Sequence, residues 1–255
     1  MKGFCPLASG SKGNCIYVGT GQTKILIDAG LSLRALKERL DLIGVDISEI
    51  DAIVLTHEHI DHIKGIETLG CKLGIPILAN SDTARAVYEI LGQVPKFKIF
   101  STGEAFEYGD IELHPFSIQH DAVDPVAFTL HVGGLKLGVC ADLGFATTLV
   151  KHQLASCDML YIESNHQTSM VHACSRPASY KQRVLSRQGH LSNDQCGELL
   201  AAIVHNKLQQ VYLAHLSSEC NVPEVALKVV SEAIGRNDLT LTIAHQEKVS
   251  VPFLF

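Results

Sequence analysis

Four candidate metal ligands, His57, His59, Asp61 and His62, lie within six residues, directly after the apolar run 52–55. In a helix, His57 and His59 would point about 200° apart, because consecutive residues advance by about 100°, and they could not share one ion. In extended backbone the same two side chains point in one direction. The pattern therefore predicts a buried strand over 52–55 followed by a metal-binding loop.

The types of these ligands indicate which metals would bind and which reaction they would serve. Imidazole and carboxylate groups suit Zn²⁺, Mn²⁺ or Fe, with His57 and His59 available to one ion and Asp61 and His62 to a second. Two neighbouring ions make a hydrolytic site, because coordination lowers the pKa of water from about 15.7 towards about 7 and gives a hydroxide bridging the metals. We expect Asp61 to orient this hydroxide as well as bind metal. Lactams, thioesters, lactones and phosphodiesters are all substrates for such chemistry.

A site with two ions needs more ligands than the first motif supplies. Three further residues fit this demand, because each follows an apolar run typical of a strand. They are His120, after residues 111–118; Asp142, after 135–140; and His215, after 210–213. Taken singly, each is also compatible with a surface residue or a hydrogen-bonded core residue. Together with the first motif, they predict a metal shell completed from distant strand ends.

A segment around residue 190 combines a histidine with the start of a helix. Ser192 and Gln195 have the spacing of a capping box, which predicts a helix over 194–206. Free N–H groups at a helix amino terminus attract anions, so His190 could contact a phosphate there and protonate the leaving oxygen. Ser192 is then a candidate substrate contact. An ordinary helix cap beside a histidine would explain the same residues.

Four basic residues and no acidic residue lie between 176 and 190, namely Arg176, Lys181, Arg183 and Arg187. In a chain with a formal net charge of −6 and a pI of about 6.1, this run favours a polyanionic substrate. A solvated helix face would give the same pattern. The overall charge argues against a protein that coats nucleic acid with its whole surface.

The remaining elements must bring these residues together. The pattern of apolar residues predicts strands before the first helix, helices over 32–42 and 81–91, and an antiparallel ladder between 98 and 140. Helices and strands then alternate up to a final strand over 249–253. No linker or short repeat divides the 255 residues, so we predict one domain, 1–255. The predicted class is α/β, with two mixed β-sheets face to face and helices outside.

Composition limits the class of protein and its compartment. A chain that is 46% hydrophobic and 19% charged can form a sizeable core. The eight cysteines have no CxxC spacing, which predicts reduced core thiols. No signal peptide and no run of ~20 apolar residues is visible, so we predict a cytoplasmic protein with no membrane partner. The sequence leaves the oligomeric state open, with a homodimer as one option.

The motif from His57 to His62 resembles the signature of the metallo-β-lactamase-fold hydrolases. The resemblance implies the four-layer αβ/βα sandwich of that fold. It also implies a distribution of the ligands over two divalent ions, with His57, His59 and His120 on the first, Asp61, His62 and His215 on the second, and Asp142 bridging them. The Gly189-His-Leu-Ser192 segment before a helix is similar to the RNase Z branch of this superfamily.

Longer motifs resemble the bacterial YycJ/WalJ family across nearly the whole chain. In order they are Leu7-Ala-Ser-Gly-Ser-Lys-Gly-Asn14, Leu26-Ile-Asp-Ala-Gly30, Thr56-His-Glu-His-Ile-Asp-His-Ile-Lys-Gly65, Ile118-Gln-His-Asp-Ala122 with Asp124-Pro125, Ile162-Glu-Ser-Asn-His166, Gly189-His-Leu-Ser-Asn193 and Tyr212-Leu-Ala-His-Leu-Ser217. The resemblance implies a metal-dependent nuclease, a 5′ to 3′ DNA exonuclease in mismatch repair or genome maintenance, with DNA as its partner.

Two asparagines are further candidate substrate contacts. Asn14 lies in a loop of small residues that can approach a ligand closely, although an ordinary hairpin turn would use the same residues. Asn165 precedes His166, and in the family an acidic residue usually follows this Asn-His pair. This chain has Gln167 instead, so a functional role for Asn165 and His166 competes with a plain turn at a strand end.

Other functions are compatible with part of this pattern. A small-molecule phosphodiesterase would use the same metals and His190 in a pocket closed to polymers, and a thioester or lactone hydrolase would need only the metals. A flavin-coupled oxidoreductase expects Glu in place of His59 and an attached flavin domain, and a silent scaffold expects missing ligands. Because all seven ligands are present and His190 and the basic run accompany them, we predict a nuclease.

Overall fold

The computed structural model describes residues 1–255, which divide into two compact units. The first consists of Met1–Pro115, Ala122–Val126 and His245–Phe255, and the second of Phe116–Asp121 and Ala127–Ala244. The regular structure comprises two mixed sheets, of six and seven strands, and eight α-helices. The single domain predicted over 1–255 stays a prediction.

The first unit contains the six-stranded sheet, whose strands are hydrogen-bonded in chain order. They are β1 (Gly3–Ala8), β2 (Cys15–Gly19), β3 (Lys24–Ile27), β4 (Ala52–Val54), β5 (Ile77–Ala79) and β6 (Phe97–Ile99). The first three pair antiparallel, and β3 to β6 pair parallel. The carboxyl ends of β3, β4 and β5 therefore meet at one edge of the sheet, the edge where α/β sheets usually bind ligands.

Helices and most of a hairpin, whose last two residues Phe116 and Ser117 belong to the second unit, complete the first unit. They are α1 (Leu33–Asp41), α2 (Ile60–Ile63), α3 (Ser81–Leu91) and the antiparallel strands β7 (Phe106–Tyr108) and β8 (Ile111–Ser117), with a 3₁₀ turn over Ile47–Glu49 and a π-helical turn over Glu67–Lys72. Ser32 and Asn80 cap α1 and α3 through their side-chain oxygens. Leu36 and Leu40, four residues apart, bury one face of α1 in the core of this unit.

The second unit contains five strands that are hydrogen-bonded in chain order, β9 (Val126–Val132), β10 (Leu135–Cys140), β11 (Met159–Glu163), β12 (Gln210–Ala214) and β13 (Thr240–Ile243). The first pair is antiparallel, and β10 to β13 are parallel. Its helices are α4 (Thr148–Leu154), α5 (Thr168–Ala173), α6 (Ala178–Val184), α7 (Asn193–Ile203) and α8 (Pro223–Ile234). Apolar residues of α7 and α8 share one buried core with β11 and β12, as expected for a covered parallel sheet.

Two features differ from the expectation drawn from sequence. The strand predicted over 249–253 is wrong, because only Phe253 forms a bridge, to Phe4. Pro252 lacks the N–H group that a continuing ladder would need. Helix α5 was not expected, and no side chain caps its amino terminus to signal it.

None of the helices combines the length and the apolar character needed to cross a membrane.

Candidate metal centre

Strand ends deliver the candidate ligands in both units. In the first, Asp28 follows β3 and His57 lies just beyond β4, whereas in the second Asp142 lies just beyond β10 and His215 follows β12. Asp28, Asp142 and His215 have φ angles of 60°, 54° and 54°. Residues other than glycine adopt such backbone angles only at a cost in energy, and this strain concentrates at functional sites. Three of the four non-glycine residues with positive φ are therefore candidate site residues at strand ends; the fourth is Ser156.

Asp28 organises the histidine motif of the first unit. Its carboxylate accepts hydrogen bonds from the backbone N–H and the hydroxyl of Thr56, both at 2.9 Å, and from Nδ1 of His62 at 2.8 Å. Because the Thr56 hydroxyl donates to Asp28, it must accept from Nδ1 of His57, which lies 3.0 Å away. Both imidazoles thus carry their proton on Nδ1 and present Nε2 as the acceptor nitrogen, the form in which histidine binds metal.

The rest of the motif lies close to these two imidazoles. The ring centroid of His57 is 4.6 Å from that of His59 and 4.0 Å from that of His62. Oδ2 of Asp61 lies 3.6 Å from Nε2 of His62. His57 and His62 are buried, while His59 and Asp61 are partly exposed. The structure therefore brings the four residues together, with His57 and His59 in the segment before α2; the predicted loop is wrong for Asp61 and His62, which lie within α2.

Asn14 contacts this motif and is only 4% exposed. Its Nδ2 lies 3.2 Å from Oδ2 of Asp61 and 3.0 Å from Nε2 of His62, and its Oδ1 accepts from the N–H of Gly10. The close approach requires Gly30, since a Cβ atom there would lie 1.7 Å from the carbonyl oxygen of Asp61. Asn14 therefore holds two candidate ligands, and the substrate contact predicted for it stays a prediction.

Glu163, the last residue of β11, is the centre of a second cluster. It is fully buried. Its Oε1 accepts from Nδ1 of His190 at 2.9 Å and from Nδ1 of His215 at 3.0 Å, while Oε2 accepts from the N–H groups of Leu143 at 2.7 Å and Leu191 at 3.1 Å. Burial raises the pKa of this carboxyl, but the charge of His190 and the imidazole hydrogen bonds outweigh burial and lower it. Glu163 is thus an ionised anchor for both histidines.

Asp142 and His120 lie beside this anchor. One ligand atom from each of Asp142, Glu163, His190 and His215 falls within 4.8 Å of the others. His120 donates from Nδ1 to the carbonyl of Gly189 at 3.1 Å, and its Nε2 lies 3.8 Å from Oδ1 of Asp142. Burial lowers the pKa of His120, which keeps the imidazole neutral as metal binding requires.

Asn165 and Ser192, two predicted substrate contacts, have partners within the protein. Nδ2 of Asn165 donates to the carbonyl of His215 at 2.7 Å, which fixes the strained backbone there. Ser192 forms the predicted capping box with Gln195, which is confirmed. The N–H groups of Asn193 and Gln195 at this helix end already donate, to the carbonyl of His166 and to Oγ of Ser192. The substrate contacts of Asn165 and Ser192 stay predictions.

The basic run of the second unit is only partly available to a ligand. Arg176 forms a salt bridge with Glu219, and Arg183 binds both carboxylate oxygens of Asp121. Arg187 forms no salt bridge to a carboxylate. A solvated, internally paired surface therefore accounts for Arg176 and Arg183, and the polyanion hypothesis applies most directly to Arg187.

Asp28 and Glu163 are the site residues that sequence reasoning missed. Each is an acidic residue at the end of an apolar strand, the signal that had identified Asp142. Both also stand inside motifs quoted above, Leu26-Ile-Asp-Ala-Gly30 and Ile162-Glu-Ser-Asn-His166. The sequence carries the signal, but a rule for direct ligands does not select residues that hold ligands in place.

Comparison with known proteins places this chain in a family. Residues 23–216 match the model of the beta-lactamase superfamily domain. Exodeoxyribonuclease YycJ of Bacillus anthracis is 37% identical over 234 residues, covering 91% of this chain and 88% of the relative. Exodeoxyribonuclease WalJ of Streptococcus pneumoniae strain D39 is 35% identical over 237 residues, with the same coverage. The solved structure of the metallo-beta-lactamase fold protein YhfI from Bacillus subtilis has a TM-score of 0.72 at 18% identity, covering 98% of this chain and 99% of that one.

The fold and the site therefore define a metallo-β-lactamase-fold protein, and the predicted fold class is confirmed. Within that superfamily the chain belongs to the YycJ/WalJ family. The His and Asp clusters of both units have the donor groups expected for divalent metal binding in this fold.

Proposed function

We propose that this protein is a metal-dependent phosphodiesterase that degrades DNA from an end, in the 5′ to 3′ direction, and serves DNA repair. Its relatives YycJ and WalJ are named exodeoxyribonucleases and align with 91% of the chain. Within the molecule, the proposal is carried by the hydrogen bond between His190 and the buried carboxylate of Glu163. A histidine held in this way is suited to donate a proton to a leaving oxygen.

The proposed site holds two divalent ions, Zn²⁺ or Mn²⁺ with Fe as a third candidate. The proposed ligands are His57, His59 and His120 for one ion, Asp61, His62 and His215 for the other, and Asp142 for both. The donor set suits these metals, because hydrogen bonds at Nδ1 fix the tautomers of His57, His62, His120 and His215. Bound divalent ions supply a water molecule of lowered pKa, which is a nucleophile at neutral pH.

The chain's own groups have distinct parts in this reaction. Asp61, held by the amide of Asn14, orients the attacking water. His190 gives its Nε2 proton to the leaving oxygen of the phosphodiester, while Glu163 fixes the ring through Nδ1 and stabilises its positive charge. Asn14, Asn165 and Ser192 are the proposed substrate contacts; in addition, Asn165 holds His215 and Ser192 fixes the start of α7.

The proposal extends to the organisation of the chain. The two units form one domain over residues 1–255, and the protein acts in the cytoplasm, where its DNA substrate is found. A homodimer stays a prediction, which light scattering of the purified protein would test.

A nuclease assay on the chelator-stripped protein tests the proposed function. With Mn²⁺ or Zn²⁺ restored, we expect mononucleotides to be released from a labelled duplex that is protected at its 3′ ends, and none from a duplex protected at its 5′ ends. Asp142→Ala should abolish the release. Turnover of only bis(p-nitrophenyl) phosphate or cyclic nucleotides would assign a small-molecule phosphodiesterase instead, and turnover of only thioesters or lactones would assign another hydrolase.

A further inference from the structure

An aromatic ring and a guanidinium group lie against each other on the two loops that carry Asp142 and His190. Phe145 follows Asp142 by three residues, and Arg187 precedes His190 by three. Cζ of Arg187 lies 4.3 Å from the centroid of the Phe145 ring. This is a cation–π contact.

The same contacts that position His190 also position this pair. Oε2 of Glu163 accepts from the N–H groups of both Leu143 and Leu191, which ties the two loops together. Between Leu143 and Phe145, Gly144 permits a close approach, because a Cβ atom there would lie 2.4 Å from the carbonyl oxygen of Arg187. The pair is therefore held next to the candidate site by the same hydrogen bonds.

The pair is accessible and carries an uncompensated charge. Phe145 is partly exposed and Arg187 is exposed. Arg176 and Arg183 of the same basic run have carboxylate partners, whereas Arg187 forms no salt bridge. An aromatic face joined to an available cation matches a nucleotide, which has a flat base to stack and a phosphate to attract the charge.

We propose that Phe145 and Arg187 form a nucleotide-binding platform, on which one base of a single DNA strand stacks while the guanidinium attracts the adjacent phosphate. The proposal rests on the proposed function, since it takes nucleic acid as the substrate. Stacking of this kind accepts every base, because each base has a π face. It therefore suits an enzyme that must process successive nucleotides of any sequence.

Binding of single-stranded oligonucleotides with phosphorothioate linkages tests the platform without requiring cleavage. One set of probes carries all its bases, and each member of a second set has one abasic position among the first four nucleotides. Fluorescence anisotropy with Mn²⁺ present gives Kd for each. The abasic ratio is the Kd of a probe with one abasic position divided by the Kd of the complete probe. For the wild type we expect an abasic ratio of about ten at one position. In Phe145→Ala this ratio should fall to about one, because the stacking partner is gone.

Two arginine variants complete the test. Arg187→Ala should lower the slope of log Kd against log salt concentration by about 0.7, the value for one phosphate contact on a single strand. Arg34→Ala, which removes an exposed arginine of α1, is the matched control and should keep the wild-type abasic ratio and salt slope. Thermal unfolding of each variant shows whether it is folded.

The outcomes separate the platform from the nuclease assignment. A wild-type abasic ratio of one, or a wild-type ratio retained in folded Phe145→Ala, overturns the platform even if the protein degrades DNA. A tenfold abasic ratio in the wild type that Phe145→Ala abolishes supports the platform. If the wild-type protein then releases no nucleotides from DNA, only the exonuclease assignment is wrong.

Discussion

Replacing Glu163 with glutamine keeps the shape of the side chain and removes its charge. In the wild type, Oε1 accepts from His190 and His215, and Oε2 accepts from the N–H groups of Leu143 and Leu191. An amide has one acceptor oxygen and one donor nitrogen, so either orientation sets two donors against the nitrogen. With each lost bond costing roughly 1–3 kcal/mol, we expect Glu163→Gln to lower the free energy of unfolding by roughly 2–6 kcal/mol.

The effect of Glu163→Gln on catalysis should be larger, because His190 loses the carboxylate that orients its ring and stabilises its positive charge. We expect kcat for release of nucleotides from DNA to fall at least about 10²-fold. Urea unfolding curves and initial rates at saturating DNA measure the two effects. The matched control is Glu232→Gln, the same change on an exposed side chain of α8, which should alter neither quantity. Wild-type kcat together with a wild-type unfolding midpoint in Glu163→Gln would refute the role assigned to Glu163.

Three further substitutions test separate parts of the site. Asp28→Ala removes the acceptor for Nδ1 of His62 and should weaken metal binding by about 10- to 100-fold in dye competition; unchanged affinity would exclude Asp28 as the residue that orients His62. His190→Ala should lower kcat about 10²-fold or more with unchanged metal content by mass spectrometry, whereas an unaltered rate would remove His190 from the mechanism. Burial lowers the pKa of His166 from its ordinary 6.5 to about 4. The unfolded chain therefore binds the extra proton between these values, and the stability that neutral His166 gives above pH 6.5 is lost as the pH falls towards 4. His166→Gln should flatten this dependence by up to about 1.4 kcal/mol per pH unit in urea titrations, and an unchanged slope would contradict the assignment.

Much of the site could be predicted from the sequence because its signals are local. A polar residue directly after an apolar strand lies at the end of that strand, and this local rule predicts Asp142 and His215 as site residues. The spacing of His57 and His59 lets them share an ion in extended backbone but not in a helix. Such signals depend on a few neighbouring residues, so a single sequence carries them.

The rest could not be predicted because it depends on contacts between distant segments. Nothing near Asn14 indicates that its amide meets Asp61, 47 residues away, and nothing near Asn165 indicates its bond to the carbonyl of His215, 50 residues away. The partner of Arg183 is likewise set by packing, since Asp121 lies 62 residues earlier in the chain. The internal partners of Asn14, Asn165 and Arg183 are therefore visible only in the fold, and the substrate contacts predicted for the two asparagines stay predictions.

Anomalous scattering from crystals grown with Mn²⁺ tests the central claim most directly, that this chain is a metal-dependent hydrolase. The account predicts two peaks, the first contacted by His57, His59 and His120, the second by Asp61, His62 and His215, and both by Asp142. The absence of any peak at saturating Mn²⁺, or peaks that none of these seven residues contacts, would contradict it.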